Sequence, residues 1–287
     1  MDEQLIGVVI ATRNRAQDLC TTLEKLQQLP ESLDIVVADN ASIDGSPDVV
    51  AEQFPDVTLL RLPENLGAAA RNAGVEMLTT PYVAFCDDDS WWTPGSLSRA
   101  ASILDANPRV GLLAAKVLVG KGNRVDGTCD LMANSPLGQP SGLPGPRIMG
   151  FIACGAIVRR EAFLQANGFD AHFGIGGEED LLAMSMASAG WDLVYVDDVI
   201  VHHHPSPVRN RNARREILTR NHLWTTWLRR PLRVVTRTTV TALAGAATNS
   251  GARRGLIQAF RGLPWVSRQR QVLPLEVEQM VRLLSEA

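Results

Sequence analysis

Three consecutive carboxylates, Asp87-Asp88-Asp89, stand directly after the apolar run YVAF. Like charges delivered to the end of a core element repel one another, so the arrangement needs a counter-charge. Two more polar clusters hold the same position after an apolar run: TRNR (Thr12–Arg15) after LIGVVIA, and DNAS (Asp39–Ser42) after DIVVA. Brought together, they supply hydroxyls, amides, arginines and carboxylates, a set suited to a nucleotide whose diphosphate is bound through a metal ion. Each cluster alone has a plain structural reading. Asp39-Asn40 is a turn former, Arg13 or Arg15 can be solvated at a helix start, and acids ahead of a helix favour its positive end.

The elements that must position these clusters alternate in period. LIGVVIAT, DIVVADN, VTLLRLP and YVAFCDD read as strands. AQDLCTTLEKLQQL, a short segment over Gly45–Gln53 and LGAAARNAGVEML read as helices between them. This alternation predicts an α/β fold, a mostly parallel sheet flanked by helices on both faces, with ligands bound beyond the carboxyl ends of the strands. Gly67 and Gly74 fit a close backbone approach or tight helix packing. Between Gly120 and Arg147, six glycines and four prolines interrupt both periodicities. That stretch reads as a long loop, either a lid or acceptor-site wall or a surface insertion.

Composition divides the chain. Residues 1–208 carry a formal charge of -14 and residues 209–287 one of +11, within a net charge of -3. From Arg209 to Arg270 there are fourteen arginines and one acid, Glu216, interleaved with Trp224, Trp227, Leu228, Leu232 and Val234. Arginine with tryptophan on helices fits a membrane-surface face, where indole sits at headgroup level and guanidinium meets phosphate. The competing readings are packing back on the acidic first part and pairing in a homodimer. No nucleic-acid recognition motif accompanies the charge, so nucleic acid is not an expected partner. Cys20, Cys86, Cys129 and Cys154 are scattered without metal spacing and read as buried reduced thiols that carry no chemistry. Without a signal-peptide pattern or a run of roughly 20 apolar residues, the expected location is cytoplasmic, peripheral on the inner face of the membrane if the basic face is used.

The ordered series VVIATRNR, VVADNASIDGS, NLGAAARNAG, FCDDDSWW, GAIVRREAF, NGFD and GGEEDLL resembles the motifs of the family 2 glycosyltransferases with the GT-A fold, over roughly residues 5–207. While composition alone gives a basic helical extension at 209–287, the resemblance implies a nucleotide-sugar-binding and catalytic domain at 1–208. It implies an inverting hexosyl- or deoxyhexosyltransferase that moves a sugar from a nucleoside-diphosphate donor, UDP- or dTDP-linked, to an acceptor hydroxyl on a lipid-linked or secondary-metabolite glycan. Asp87-Asp88-Asp89 then corresponds to the D-x-D element that holds Mg2+ or Mn2+ against the diphosphate. Asp89 is the first-choice ligand, with Asp87 as a further ligand or ribose contact and Asp88 on the nucleotide-sugar side. Thr12, Arg13, Asp39 and Asn40 fall at the nucleoside pocket, Asp39 accepting from the pyrimidine ring, and Arg71 falls near the donor phosphates.

The same resemblance bears on the acids of GGEEDLL and on the histidines of HHHPS. An inverting transfer needs a carboxylate to take the acceptor's proton. The Glu-Asp dipeptide nominates Asp180, whereas the seven residues between Phe169-Asp170 and Glu178-Glu179, and the distance to Gly190-Trp191, nominate Glu179. The family arginine expected further along is absent, with Ser185 and Met186 in its place. His202, first after the strand DLVYVDDVIV, corresponds to the histidine beside the metal. The rival readings are a metal-dependent sugar nucleotidyltransferase, which would be expected to carry a glycine-rich loop where this chain has ATRNR, and a non-catalytic nucleotide-sugar-binding module.

Overall fold

The computed structural model describes residues 5–205 and 211–286, with side chains from Arg214 onward in the second segment. The first part runs β1 (Ile6–Thr12), α1 (Ala16–Gln27), β2 (Asp34–Asp39), α2 (Ser46–Gln53), β3 (Thr58–Arg61), α3 (Ala70–Met77), β4 (Tyr82–Asp87) and β5 (Ser90–Trp92). It continues with α4 (Ser96–Ala106), β6 (Val110–Val119), β7 (Arg124–Val125), α5 (Gly127–Ala133), β8 (Ala156–Arg159), α6 (Arg160–Gln165), α7 (Glu178–Ser188) and β9 (Asp192–His203). Five helices follow: α8 (Arg211–Arg229), α9 (Leu232–Thr248), α10 (Ser250–Arg261), α11 (Leu263–Gln269) and α12 (Leu275–Glu286).

The strands form one sheet in the order β3-β2-β1-β4-β8-β6-β9-β5, with β7 paired to β6. Its first four strands are parallel, as their alternation with helices predicts. The parallel run stops at β8, which is antiparallel to both β4 and β6, while β6 and β9 are again parallel. β1 is central and buried on both faces, which is why it reads as a continuous apolar run. The buried residues of α1, Leu19, Thr22, Leu23 and Leu26, follow the three-and-four spacing of one helix face.

Two glycines expected at close approaches are at them. A Cβ on Gly74 would sit 2.5 Å from Val9 Cγ1, so α3 can lie this close to β1 only without a side chain there. Gly67, at φ +60°, abuts the backbone of Gly174 and leaves no room for a Cβ. The Gly120–Arg147 stretch is not wholly a loop. It contains β7 and the seven-residue α5, whose Asp126 side chain caps it by accepting from the Thr128 amide.

The basic tail packs on the first part, which corrects the reading of its tryptophans as a membrane face. Trp224, Trp227 and Leu228 are buried, and with Phe173 and Leu181 of the first part they belong to one apolar cluster. Met149 and Met184 meet Leu273, Val277 and Val281 in another. These apolar clusters join the tail to the first part, whereas the ion pairs Arg230–Glu278, Arg254–Glu216 and Arg282–Glu286 are internal to the tail. The boundary placed after Val208 lies outside the described residues. Among the described residues, no helix is long and apolar enough to cross a membrane.

Candidate active site

The strand register sets the polar clusters side by side. Thr12 pairs with Asp39 across β1 and β2, and Ala11 pairs with Asp87 across β1 and β4. Beyond these carboxyl ends lies a cavity of about 410 Å3, lined among others by Thr12, Arg13, Asn40, Arg71, Asp87, Asp88, Asp89, Glu178, Glu179 and His203. That is the size range of small-molecule sites.

The counter-charge that three adjacent carboxylates require is supplied in part by arginines. Arg71 is buried and donates to Asp87, with its guanidinium 5.9 Å from the ring centre of Phe169. Arg15 donates to Asp89 at 2.8 Å and lies 3.4 Å from Asp88. The solvated-helix-start reading therefore fails for Arg15, while Arg13 is exposed at the cavity wall. Thr12 donates its hydroxyl proton to Asp88 at 2.9 Å. Burial nevertheless pushes the Asp88 carboxyl up to about 7, against the opposing pull of Arg15 and Thr12.

Asp39 and Asn40 have different parts. One Asp39 oxygen accepts from the Ser42 amide at 3.0 Å, while the other is buried without a hydrogen-bond partner. A buried carboxylate oxygen left in this state is costly unless a ligand donor reaches it. Asn40 lines the cavity, but its side-chain amide is engaged by the chain itself, accepting from Leu66 N at 2.9 Å and donating to Gly67 O at 3.2 Å. It is a clamp on the loop before α3.

His202 is not beside the metal position. It stacks on Trp91, with ring centres 5.8 Å apart, and the next residue, His203, faces the cavity. One ligand atom each of Asp87, Cys154 and His203 lies within 4.8 Å of the other two, and His203 Nε2 is 3.4 Å from Asp89 Oδ1. Cys154 thus stands in the cavity wall, which the reading of the cysteines as inert core did not anticipate. Burial holds its thiol well above the ordinary range, so it is a neutral neighbour and a poor ligand for a hard ion. Two carboxylates and an imidazole that converge at the mouth of a nucleotide-sized cavity fit Mg2+ or Mn2+, with Asp87, Asp89 and His203 as the holding residues.

The acids of α7 begin the helix rather than precede it, because Gly177 forms its left-handed N-cap and Glu178 is already its first residue. α8 of the tail fixes the approach to this turn. Asn221, fully buried, donates to Phe173 O at 2.9 Å and Gly176 O at 2.6 Å, and Arg220 donates to Phe173 O at 2.6 Å. Glu178 and Glu179 face the cavity of the strand ends, whereas Asp180 faces a second cavity. Arg229 of α8 donates to Ser185 Oγ at 3.1 Å, at the place on α7 where an arginine was expected and is missing.

Burial raises both Glu178 and Glu179; the charge of Glu179 adds to the rise at Glu178, and Arg71 opposes it at both. A carboxyl whose value is higher folded than unfolded binds protons preferentially in the folded state, so stability falls as pH rises above the unfolded value of about 4.3. Glu178→Gln is accordingly expected to be more stable than the parent at pH 8, the difference shrinking towards pH 4. Urea midpoints at the two pH values measure it, and a pH-independent difference would show that Glu178 is not held protonated.

Comparison with known proteins bears on this arrangement. Residues 7–165 match the model of the family described as Glycosyl transferase family 2. An N-acetylglucosaminyl-diphospho-decaprenol L-rhamnosyltransferase of Mycobacterium tuberculosis is 25% identical over 241 residues, 72% of this chain and 78% of that protein. A pre-mycofactocin glycosyltransferase of the same organism is 30% identical over 216 residues, 73% of this chain and 45% of that protein. Among solved structures, a mannosyltransferase of Pyrobaculum calidifontis in complex with GDP-Man and Mn2+ superposes with a TM-score of 0.60 at 20% identity, covering 98% of this chain and 86% of that one. At that identity the likeness is one of fold.

Proposed function

Because the chain belongs to the family 2 glycosyltransferases, we propose that it is an inverting, divalent-metal-dependent enzyme that moves a sugar from a UDP- or dTDP-linked donor to an acceptor hydroxyl. The observation that carries this reading is the meeting of three strand ends and the first turn of α7 in one cavity of about 410 Å3. Thr12 and Arg13 line the nucleoside end, and the buried, unpartnered oxygen of Asp39 beneath them supports a role in accepting from a pyrimidine N–H. Arg71 turns its guanidinium to the phosphate end. Asp87, Asp89 and His203 would hold Mg2+ or Mn2+, whose chemistry there is to stabilise the charge that develops on the departing nucleoside diphosphate. Glu179 takes the proton of the attacking hydroxyl from the face opposite the leaving group.

The P. calidifontis structure holds GDP-Man and Mn2+, and solved structures of S. aureus TarS hold UDP and UDP-GlcNAc. They support a nucleotide-sugar donor and leave the base to be read from this chain. Lipid-linked acceptors enter through the name of the rhamnosyltransferase relative, and a peripheral membrane location belongs to that branch of the proposal. The surface that would meet a membrane is α9, where Leu232, Val240 and Leu243 are exposed beside Arg233 and Arg237. Arg229 and Arg230 are engaged by Ser185 and Glu278 and are not part of it.

The test is a thermal-shift comparison of UDP, dTDP and GDP with and without Mn2+, because a ligand that binds only the native state raises its apparent stability. A pyrimidine nucleoside diphosphate is expected to stabilise most, and only with metal to the full extent. Asp39→Ala should weaken that binding about ten-fold or more, with or without Mn2+, the scale of a lost hydrogen bond to a charged group. Unchanged affinity by calorimetry would remove Asp39 from the nucleoside site.

A further inference from the structure

We infer that the second cavity takes the acceptor, and that this acceptor is an uncharged molecule with an apolar body and a hydroxyl; the inference rests on the glycosyl-transfer reading above. The cavity has a volume of about 420 Å3, and consecutive residues partition it from the donor cavity. Two segments form the partition, and each changes sides between consecutive residues. On α7, Glu179 lines the donor cavity and Asp180 the second one. On the segment before β8, Ile152 and Ala153 line the donor cavity while Gly150 and Phe151 line the second. Gly150 leaves an opening beside Asp180 in the second cavity: a Cβ there would meet only Asp180 Oδ1, at 3.5 Å, with nothing else within 4 Å. A hydroxyl held there stands at the residue that follows Glu179 on α7.

The walls define the chemistry of the occupant. Met132, Met149, Met184 and Phe151 form an apolar lining, and unbranched methionines adapt to varied shapes. The charges leave no place for an anion. Arg230 is already held by both oxygens of Glu278, at 2.7 and 3.1 Å, and Asp180 brings a carboxylate to the inner end. Burial and the charge of Arg230 lower the His222 imidazole, so it is neutral near pH 7. The exposed Arg214 and Arg215 lie beyond His222, on the adjoining surface. A bare sugar would waste the apolar walls, and a phosphate would meet Asp180. Because α8 and α12 supply one side of this cavity, the basic tail acquires a role in choosing the acceptor.

Calorimetry of the full chain with n-octyl glucoside below its micellar concentration, n-octyl phosphate and glucose tests the inference, with UDP and dTDP plus Mn2+ titrated in parallel. Octyl glucoside is expected to bind at least about ten-fold more tightly than either of the others. Gly150→Leu, which fills the opening at a position of ordinary backbone conformation, should cut that affinity about ten-fold while nucleotide affinity stays unchanged. Leu131→Glu, at a residue 75% exposed on the cavity rim, provides a second variant that does not touch the core. It too should weaken octyl glucoside. Preference for octyl phosphate, or octyl glucoside binding indifferent to both variants, overturns the acceptor assignment. Failure of both UDP and dTDP to bind the parent overturns the glycosyl-transfer reading instead.

Discussion

Glu179→Gln is expected to bind donor and metal as the parent does and to turn over more slowly by a factor of about 10² or more, the range for loss of a general base. Successive helical residues point about 100° apart, so the three acids of α7 cannot all serve one face. Glu179 faces the donor cavity and Asp180 the other. Burial raises Glu179 despite the opposing charge of Arg71, which moves a carboxylate towards the basicity that proton abstraction near neutral pH requires. The sign of the pH profile follows. The base works deprotonated, so the rate of the parent rises with pH, with an acid limb displaced above the ordinary glutamate value of about 4.3. In Glu179→Gln that limb disappears. Asp180→Asn is expected to be far milder and to act on KM for the acceptor more than on kcat, because its contact is with the acceptor body. Single-turnover rates with saturating donor separate the two. A dead Asp180→Asn beside an active Glu179→Gln would transfer the base to Asp180 and undo the cavity assignment with it.

The part of the site carried by β1, β2 and β4 was legible because two local signals agreed there: strand and helix periods that fix a parallel sheet, and polar residues that stop each strand at the same edge. Parity along β9 was not legible. Val199, Ile200 and Val201 are three apolar residues in a row, so the sequence does not show which alternate set faces inward. The β6 register also shifts, from Ala115 opposite Val196 to Lys116 opposite Ile200, so counting from the start of the strand gives the wrong face. That slip exchanges His202 for His203.

The tail left two readings open, and the packing one holds for its tryptophans. Apolar residues at helical spacing on α8 say that a face is covered but not by what, and here Phe173 and Leu181 cover it in place of lipid. The helix α5 was missed because seven residues between glycine-rich segments bury only Cys129 and Met132, too short an apolar pattern to show a helical period. Arg15 and Cys154 became site residues through contacts 74 positions away in sequence in the first case and through a turn before β8 in the second. Neither carries a local signature.

The exchange of histidines makes the metal site testable at three positions. Mn2+ is expected to raise affinity for UDP or dTDP in the parent. That gain should be lost in Asp89→Ala, reduced by about 10-fold or more in His203→Ala, the scale of mutating groups around a metal, and kept in His202→Ala. Asp89 carries the largest effect because it faces His203 on one side and Arg15 on the other. Its removal deletes a hard oxygen and releases Nη2 of Arg15, whose Nε stays beside Asp18 and Asp88, to pair with the diphosphate directly. Asp89→Ala should therefore retain some nucleotide affinity that no longer depends on metal, rather than lose all binding. His202, stacked on Trp91, contributes packing and should change melting temperature more than metal response. Calorimetric titrations of the nucleotide with and without Mn2+ read all three. A metal response lost in His202→Ala and intact in His203→Ala would restore the histidine named by position in the sequence, and a full metal response in Asp89→Ala would leave Asp87 as the carboxylate that matters.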